Sequence, residues 1–206
     1  MGDLQIVDMG LPDDLASLKG IQTNVAEDIL IYALLPDRPL DSHKGTFGTA
    51  LIVAGSASYT GAAVLAGEAA YRIGAGLVTL AIPSNLHGAI AGQIPEATWA
   101  LLPHDMGAIS ANASDTLAKK FERATALLIG PGMGVEDTTK EFFENVITQK
   151  NTQKKVSARI GFVHTETKTE EKNVTLPPLV IDADGLTLLA KIKDWHTTLP
   201  AQAILT

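Results

Sequence analysis

"HKGTFGTALIVAGSASYTGAAVLAGEAAYRIGAGLVTLAIP", residues 43–83, sets two apolar runs around a helix of small side chains, with glycine at each joint. The runs "TALIVA" (49–54) and "LVTLAI" (77–82) are apolar without strict alternation, which suits strands buried on both faces of a parallel sheet. Between them "TGAAVLAGEAAYRIGAG" reads as a helix, with Thr60 as its cap and Gly74 as its stop. Strand, helix and strand make one βαβ unit with a right-handed crossover. The helix carries Ala62, Ala63, Ala66, Gly67, Ala69 and Ala70, so it approaches a sheet or a ligand more closely than a leucine-rich helix would.

The pattern repeats downstream. "TALLIGPGMG" (125–134) is an apolar strand that runs into three glycines, and "TTKEFFENVI" then starts a helix with a Thr138–Glu141 capping box. "LVIDADGLTLLA" (179–190) is a strand, an acidic turn and a helix, and "AILT" (203–206) opens another strand. Strands alternating with helices predict a three-layer α/β/α domain with a mainly parallel sheet, whose ligands gather at the carboxyl ends of the strands. The candidate site is therefore assembled from Gly55–Ala63, Gly130–Gly134 and Asp182–Gly185. Upstream, residues 4–7 read as a short strand closed by a turn. Residues 16–42 read as a linker with a helix over "NVAEDILIYALL" that Asn24 caps and "PDRP" ends. Residues 148–175 are polar and mixed in charge, as in a solvated loop or exposed hairpin.

Composition narrows the function. Of 206 residues 46% are hydrophobic and 19% charged, which predicts a folded rather than a disordered chain. A net charge of -7 gives no global field for nucleic acid or an anionic membrane, so an anionic ligand must be held by backbone amides or a few placed cations. The chain has no cysteine, which removes disulfides and thiolate chemistry and suits a cytoplasmic protein. No apolar stretch is long enough to span a bilayer. Taken singly, the features stay open. Gly130, Gly132 and Gly134 suit a tight turn or a phosphate cradle, and Asp182 and Asp184 suit a turn and a helix cap or a catalytic pair. His87, His104, His164 and His196 lack metal-ligand spacing, so no metal site is predicted, and Trp99 and Trp195 read as packing residues.

Taken together, the 43–79 stretch, "PEA" (95–97), "LLIGPGMG" (127–134) and "VIDADGLTLLA" (180–190) resemble the ADP/ATP-dependent NAD(P)H-hydrate dehydratases, members of the ribokinase-like superfamily. The resemblance covers residues 36–147 and 176–206. It implies ADP or ATP as phosphoryl donor with Mg2+, and NADHX or NADPHX, the hydrates of the reduced cofactors, as substrate. It implies that Thr60, Gly61, Ala62 and Ala63 face the hydrate, and that Gly132 and Gly134 let backbone approach it. Asp184 would bind it or shape the pocket, and His43, Lys44 and Gly45 form a further candidate loop. The small helix would then be small because a dinucleotide lies against it.

The opening "LQIVDMGLP" is similar to the closing strand of the NAD(P)H-hydrate epimerase domain of bifunctional repair enzymes. The expected organisation is residues 1–15 from that domain, 16–42 as linker and entry helix, and 43–206 as the N-terminal part of the dehydratase domain. The family pattern continues into T-P-H-P-G-E and G-x-G-D motifs that this sequence does not contain, so the catalytic base is expected beyond Thr206. The 206 residues alone are expected to be inactive and prone to self-association at the open "AILT" edge, and the complete protein to be a cytoplasmic homo-oligomer. Thr187 stands where the family usually has Asn. A small-molecule kinase of the same superfamily, or a non-catalytic binding remnant, are the alternative readings.

Overall fold

The computed structural model describes residues 25–149 and 175–206, with residues 5, 7, 10–12, 15–16, 19–20 and 23 of the amino-terminal segment. The chain divides into two compact units, Met1–Asp41 and Ser42–Thr206. In the first, helix α1 (Asp28–Leu34) ends where Leu35 turns extended before Pro36. Its N-cap, Glu27, makes no side-chain capping bond. The strand expected at 4–7 falls largely outside the described residues, as do the Asn24 cap and most of the polar segment 148–175.

The second unit runs β1 (Thr49–Val53), α2 (Thr60–Ile73), β2 (Leu77–Pro83), α3 (His87–Ile90), β3 (Thr98–Leu102), β4 (His104–Asp105), β5 (Ala108–Ile109) and α4 (Ala113–Phe121). It continues with β6 (Ala126–Ile129), α5 (Asp137–Ile147), β7 (Leu179–Ile181), α6 (Asp184–Leu189) and β8 (Ile204–Leu205). Six strands form one sheet in the order β3-β2-β1-β6-β7-β8, every pair parallel, while β4 and β5 form a separate antiparallel hairpin. Alternate residues of β1 supply opposite faces. Leu51 and Val53 pack with Leu117, Phe142 and Phe143 of α4 and α5, whereas Ile52 packs with Ala63, Val64 and Ile90 of α2 and α3. Two cores on one sheet make the three-layer α/β/α arrangement expected of unbroken apolar strands.

Helix α2 is small where it meets the sheet. A Cβ on Gly67 would lie 2.9 Å from Ile94 Cδ1 and 3.2 Å from Leu80 Cδ2, and Ala63 is fully buried. Its large apolar side chains Leu65 and Ile73 point to solvent instead. Close helix-to-sheet packing therefore accounts for Ala63 and Gly67. The helix stops at Gly74, in the left-handed region at φ 106, as expected. Thr60 is its first helical residue rather than its cap, because Tyr59 takes that position without a side-chain bond. The α5 capping box is also replaced, since Thr138 Oγ1 accepts the N–H of Ala111 at 3.1 Å and the cap position is Glu136.

The "HKGTFG" segment fastens the beginnings of the central strands. Gly76 N–H donates to Phe47 O at 3.3 Å and Leu77 N–H to Gly48 O at 3.0 Å. Thr125 Oγ1, at the entry to β6, accepts Thr49 N–H at 2.9 Å. Within the segment Gly45 N–H donates to His43 Nδ1 at 3.1 Å.

Candidate active site

The chain runs from β1 outward through β2 and β3, then returns to the other side of β1 as β6. The crevice between the carboxyl ends of β1 and β6 is thus the topological switch point, where open α/β sheets bind their ligands. Its walls are the loop from Gly55 to Tyr59 and the turn from Gly130 to Gly134, both chosen from the sequence. They are bonded to each other: Gly55 N–H donates to Pro131 O at 2.8 Å, and Gly130 N–H to Val53 O at 3.2 Å.

Gly132 has φ +61, and a Cβ there would lie 2.7 Å from Ala62 Cβ and 2.8 Å from Tyr59 Cβ. The turn after β6 is therefore pressed onto the start of α2. Ala62 and Tyr59 fill the space beside Gly132, so its missing side chain serves loop contact. Gly134, at φ +81, donates its N–H to Asp184 Oδ2 at 2.9 Å. Asp184 thereby joins the turn after β6 to the start of α6. Behind it, a Cβ on Gly130 would collide with the Asp182 carbonyl oxygen, and Gly185 N–H donates to that oxygen at 2.9 Å. Ala183 between the two acids has φ 50 and ψ -119, a conformation that costs a non-glycine residue about 1–3 kcal/mol. Thr206 Oγ1 meets Asp182 Oδ1 at 2.8 Å.

The first turn of α2 borders the crevice. Gly61 is exposed, and Thr60 and Ala62 are half-buried. No side chain caps this end, so its leading N–H groups and the positive end of the helix dipole favour an anionic group. Ala63 differs: it is 0% exposed and packs beneath Gly55, so its methyl supports the loop from within the core. His43, Lys44 and Gly45 are not brought to this site. They precede β1 and lie at the amino ends of the strands, with the Lys44 carbonyl against Gly76. Among the described residues no group of three His, Asp or Glu side chains is arranged to hold a metal ion.

Two features were not singled out in the sequence reading. Tyr59 stands 59% exposed at the mouth of the crevice. The β4–β5 hairpin reaches over from β3, and its Gly107 carbonyl accepts Ala57 N–H at 3.0 Å. The available signal was "HDMG", a two-residue turn flanked by short runs, weak because Met is not a residue that such a turn favours. Ser56 sits in the same loop with its hydroxyl enclosed and without a hydrogen-bond partner among the described residues.

Comparison with known proteins agrees with this arrangement. Residues 50–157 match the family described as NAD(P)H-hydrate dehydratase. The chain is 34% identical over 194 residues to a bifunctional NAD(P)H-hydrate repair enzyme of Salinibacter ruber, covering 92% of this chain and 31% of that protein. Among solved structures, a ribokinase-like superfamily protein of Enterococcus faecalis superposes with a TM-score of 0.58 at 25% identity, over 83% of this chain and 49% of that one. An ADP/ATP-dependent NAD(P)H-hydrate dehydratase of Bacillus subtilis, co-crystallised with ATP/Mg2+, superposes with a TM-score of 0.51 at 29% identity, over 77% of this chain and 45% of that one. The chain thus spans 31% to 49% of these relatives' lengths. With a ribokinase-like sheet, its switch-point loops and this family match, the chain belongs to the NAD(P)H-hydrate dehydratases.

Proposed function

We propose that the chain supplies the hydrate-binding part of an enzyme that returns (S)-NADHX or (S)-NADPHX to the reduced cofactor at the expense of ADP or ATP. The observation that carries this reading is the junction of the Gly55–Ala62 and Gly130–Gly134 segments at the switch point, on a chain of this family.

The hydrate carries a hydroxyl at carbon 6 of its nicotinamide ring, and hydroxide is a poor leaving group. Transfer of a phosphoryl group from the nucleotide to that oxygen makes phosphate the leaving group. The ring nitrogen's lone pair then drives elimination, carbon 5 loses a proton, and the ring double bond returns. Such transfer depends on position and charge stabilisation more than on covalent work by the protein. In this chain the uncapped first turn of α2 offers N–H groups to the dinucleotide's phosphates, and the Gly132 contact fixes the two loops relative to each other. Asp184 holds the turn at Gly134. The described residues include no group of three His, Asp or Glu side chains arranged around a metal ion. We further propose that residues 1–15 are the end of an epimerase domain with 16–42 as linker, and that the protein is a cytoplasmic homo-oligomer.

The test is direct. Full-length protein incubated with NADHX and either ADP or ATP with Mg2+ is expected to restore the absorbance of the reduced cofactor. A phosphorylated product that accumulates without that recovery would replace this reading with that of a kinase.

A further inference from the structure

We propose that Met106, at the tip of the β4–β5 hairpin, is a binding and specificity residue that packs its thioether against a heterocyclic ring of the dinucleotide. The inference rests on the hydrate-dehydratase reading above and deepens it. Three independent observations meet at this residue.

The first is backbone conformation. Asp105 pairs with Ala108, so Met106 and Gly107 form a two-residue turn, and their φ values are 47 and 87. Positive φ at both positions is the type I′ turn, which Asn-Gly favours and which a side chain such as methionine's disfavours. The second is exposure. Met106 is 97% exposed, so this large apolar side chain contributes no burial to the fold in exchange.

The third is position. Gly107 O accepts the N–H of Ala57 at 3.0 Å, and Gly107 N–H donates to His104 Nδ1 at 3.3 Å. A Cβ on Gly107 would meet the Ala57 side chain and come within 3.4 Å of Asn85 Nδ2. The tip is therefore fastened to the loop after β1 and beside the turn after β2, at the rim of the switch-point crevice. A residue that opposes its own turn, is left bare by the fold and is fixed beside the ligand loop is explained by contact with the ligand. Methionine suits that contact, because its flexible, polarisable sulfur packs well on ring faces.

The experiment compares Met106→Asn and Met106→Leu with the unaltered full-length protein. Thermal melting is measured, together with binding of two probes: NADHX, and ADP-ribose, which keeps the adenine but lacks the nicotinamide. Asn-Gly favours the turn, so Met106→Asn is expected to melt at the same or a higher temperature while binding NADHX about five- to tenfold more weakly. Met106→Leu keeps the apolar contact and should bind within about twofold of the unaltered protein. Loss confined to NADHX places Met106 on the nicotinamide ring, and equal loss for ADP-ribose places it on the adenine. Unchanged binding of both probes by Met106→Asn, or weaker binding accompanied by a lower melting temperature, overturns the inference and leaves the dehydratase reading standing. Failure of the unaltered protein to bind NADHX overturns both.

Discussion

The backbone N–H of Gly134 donates to the carboxylate of Asp184 at 2.9 Å, joining the turn after β6 to the turn after β7 across fifty residues of sequence. A half-buried bond to a charged acceptor contributes about 1.5–3 kcal/mol. Asp184→Ala should therefore destabilise the protein by roughly that amount and weaken hydrate binding as the turn loosens. Asp184→Asn keeps an acceptor oxygen but not the charge. If Asp184 acts by positioning the turn, the Asn variant recovers most of the binding lost in Ala, and its Gly134 amide proton resonance shifts less from that of the unaltered protein than in the Ala variant. An Asn variant as weak as Ala would assign the charge itself to the ligand.

At the other end of the sheet, Gly76 faces the Lys44 carbonyl so closely that a Cβ would overlap it. That neighbour is backbone and cannot rotate away. Gly76→Ala should cost about 2–4 kcal/mol of stability, read as a lower denaturation midpoint with an unchanged denaturant slope. Any variant that remains folded at low temperature should bind NADHX normally, because the segment carrying His43 and Lys44 lies at the amino ends of the strands.

That segment shows how far the sequence was legible. "TALIVA" and "LVTLAI" announced a parallel sheet because strands covered on both faces need apolar residues throughout, and Leu51, Ile52 and Val53 are each buried, on alternating sides. Gly74, Gly132 and Gly134 were readable as turns because each adopts positive φ. The five-residue edge strand "TWALL" was not read, since Thr98 and Leu101 are exposed there and the apolar run is broken. The nine-residue α4 has no glycine or proline at its ends to mark it. The site was legible as a set of loops but not as contacts, because Gly132 meets Ala62 and Gly134 meets Asp184 across long stretches of chain. The candidate loop at His43 precedes a parallel strand and so enters the sheet at its amino end, whereas ligands of such sheets gather at the carboxyl ends.

Tyr71 gives the fold a pH dependence of definite sign. Its hydroxyl donates to Glu96 O at 2.8 Å, and burial, with the Glu96 charge adding to it, raises its pKa above the ordinary 10.0. A group whose pKa is higher folded than unfolded contributes stability that is complete below the unfolded value and is lost as pH rises through the folded one. The difference in melting temperature between the unaltered protein and Tyr71→Phe should be constant through neutral pH and shrink above about pH 10. A difference that grows with alkalinity would contradict this placement of Tyr71.

Gly132 tests whether the two loops act as one site. Alanine there must hold φ near +61 and bring its Cβ within 3 Å of both Ala62 Cβ and Tyr59 Cβ, where neither neighbour is a flexible chain end. The turn after β6 has to withdraw from the start of α2, which widens the crevice without removing a ligand group. Gly132→Ala is expected to lower stability by about 1–3 kcal/mol, and to weaken NADHX binding by tenfold or more at temperatures where the variant is fully folded. Pairing it with Ala62→Gly removes one of the two clashing methyl groups, so the double variant should recover part of the binding despite the added glycine in the helix. Recovery of stability without recovery of binding would show that the ligand depends on the Gly132 backbone itself rather than on the spacing of the loops.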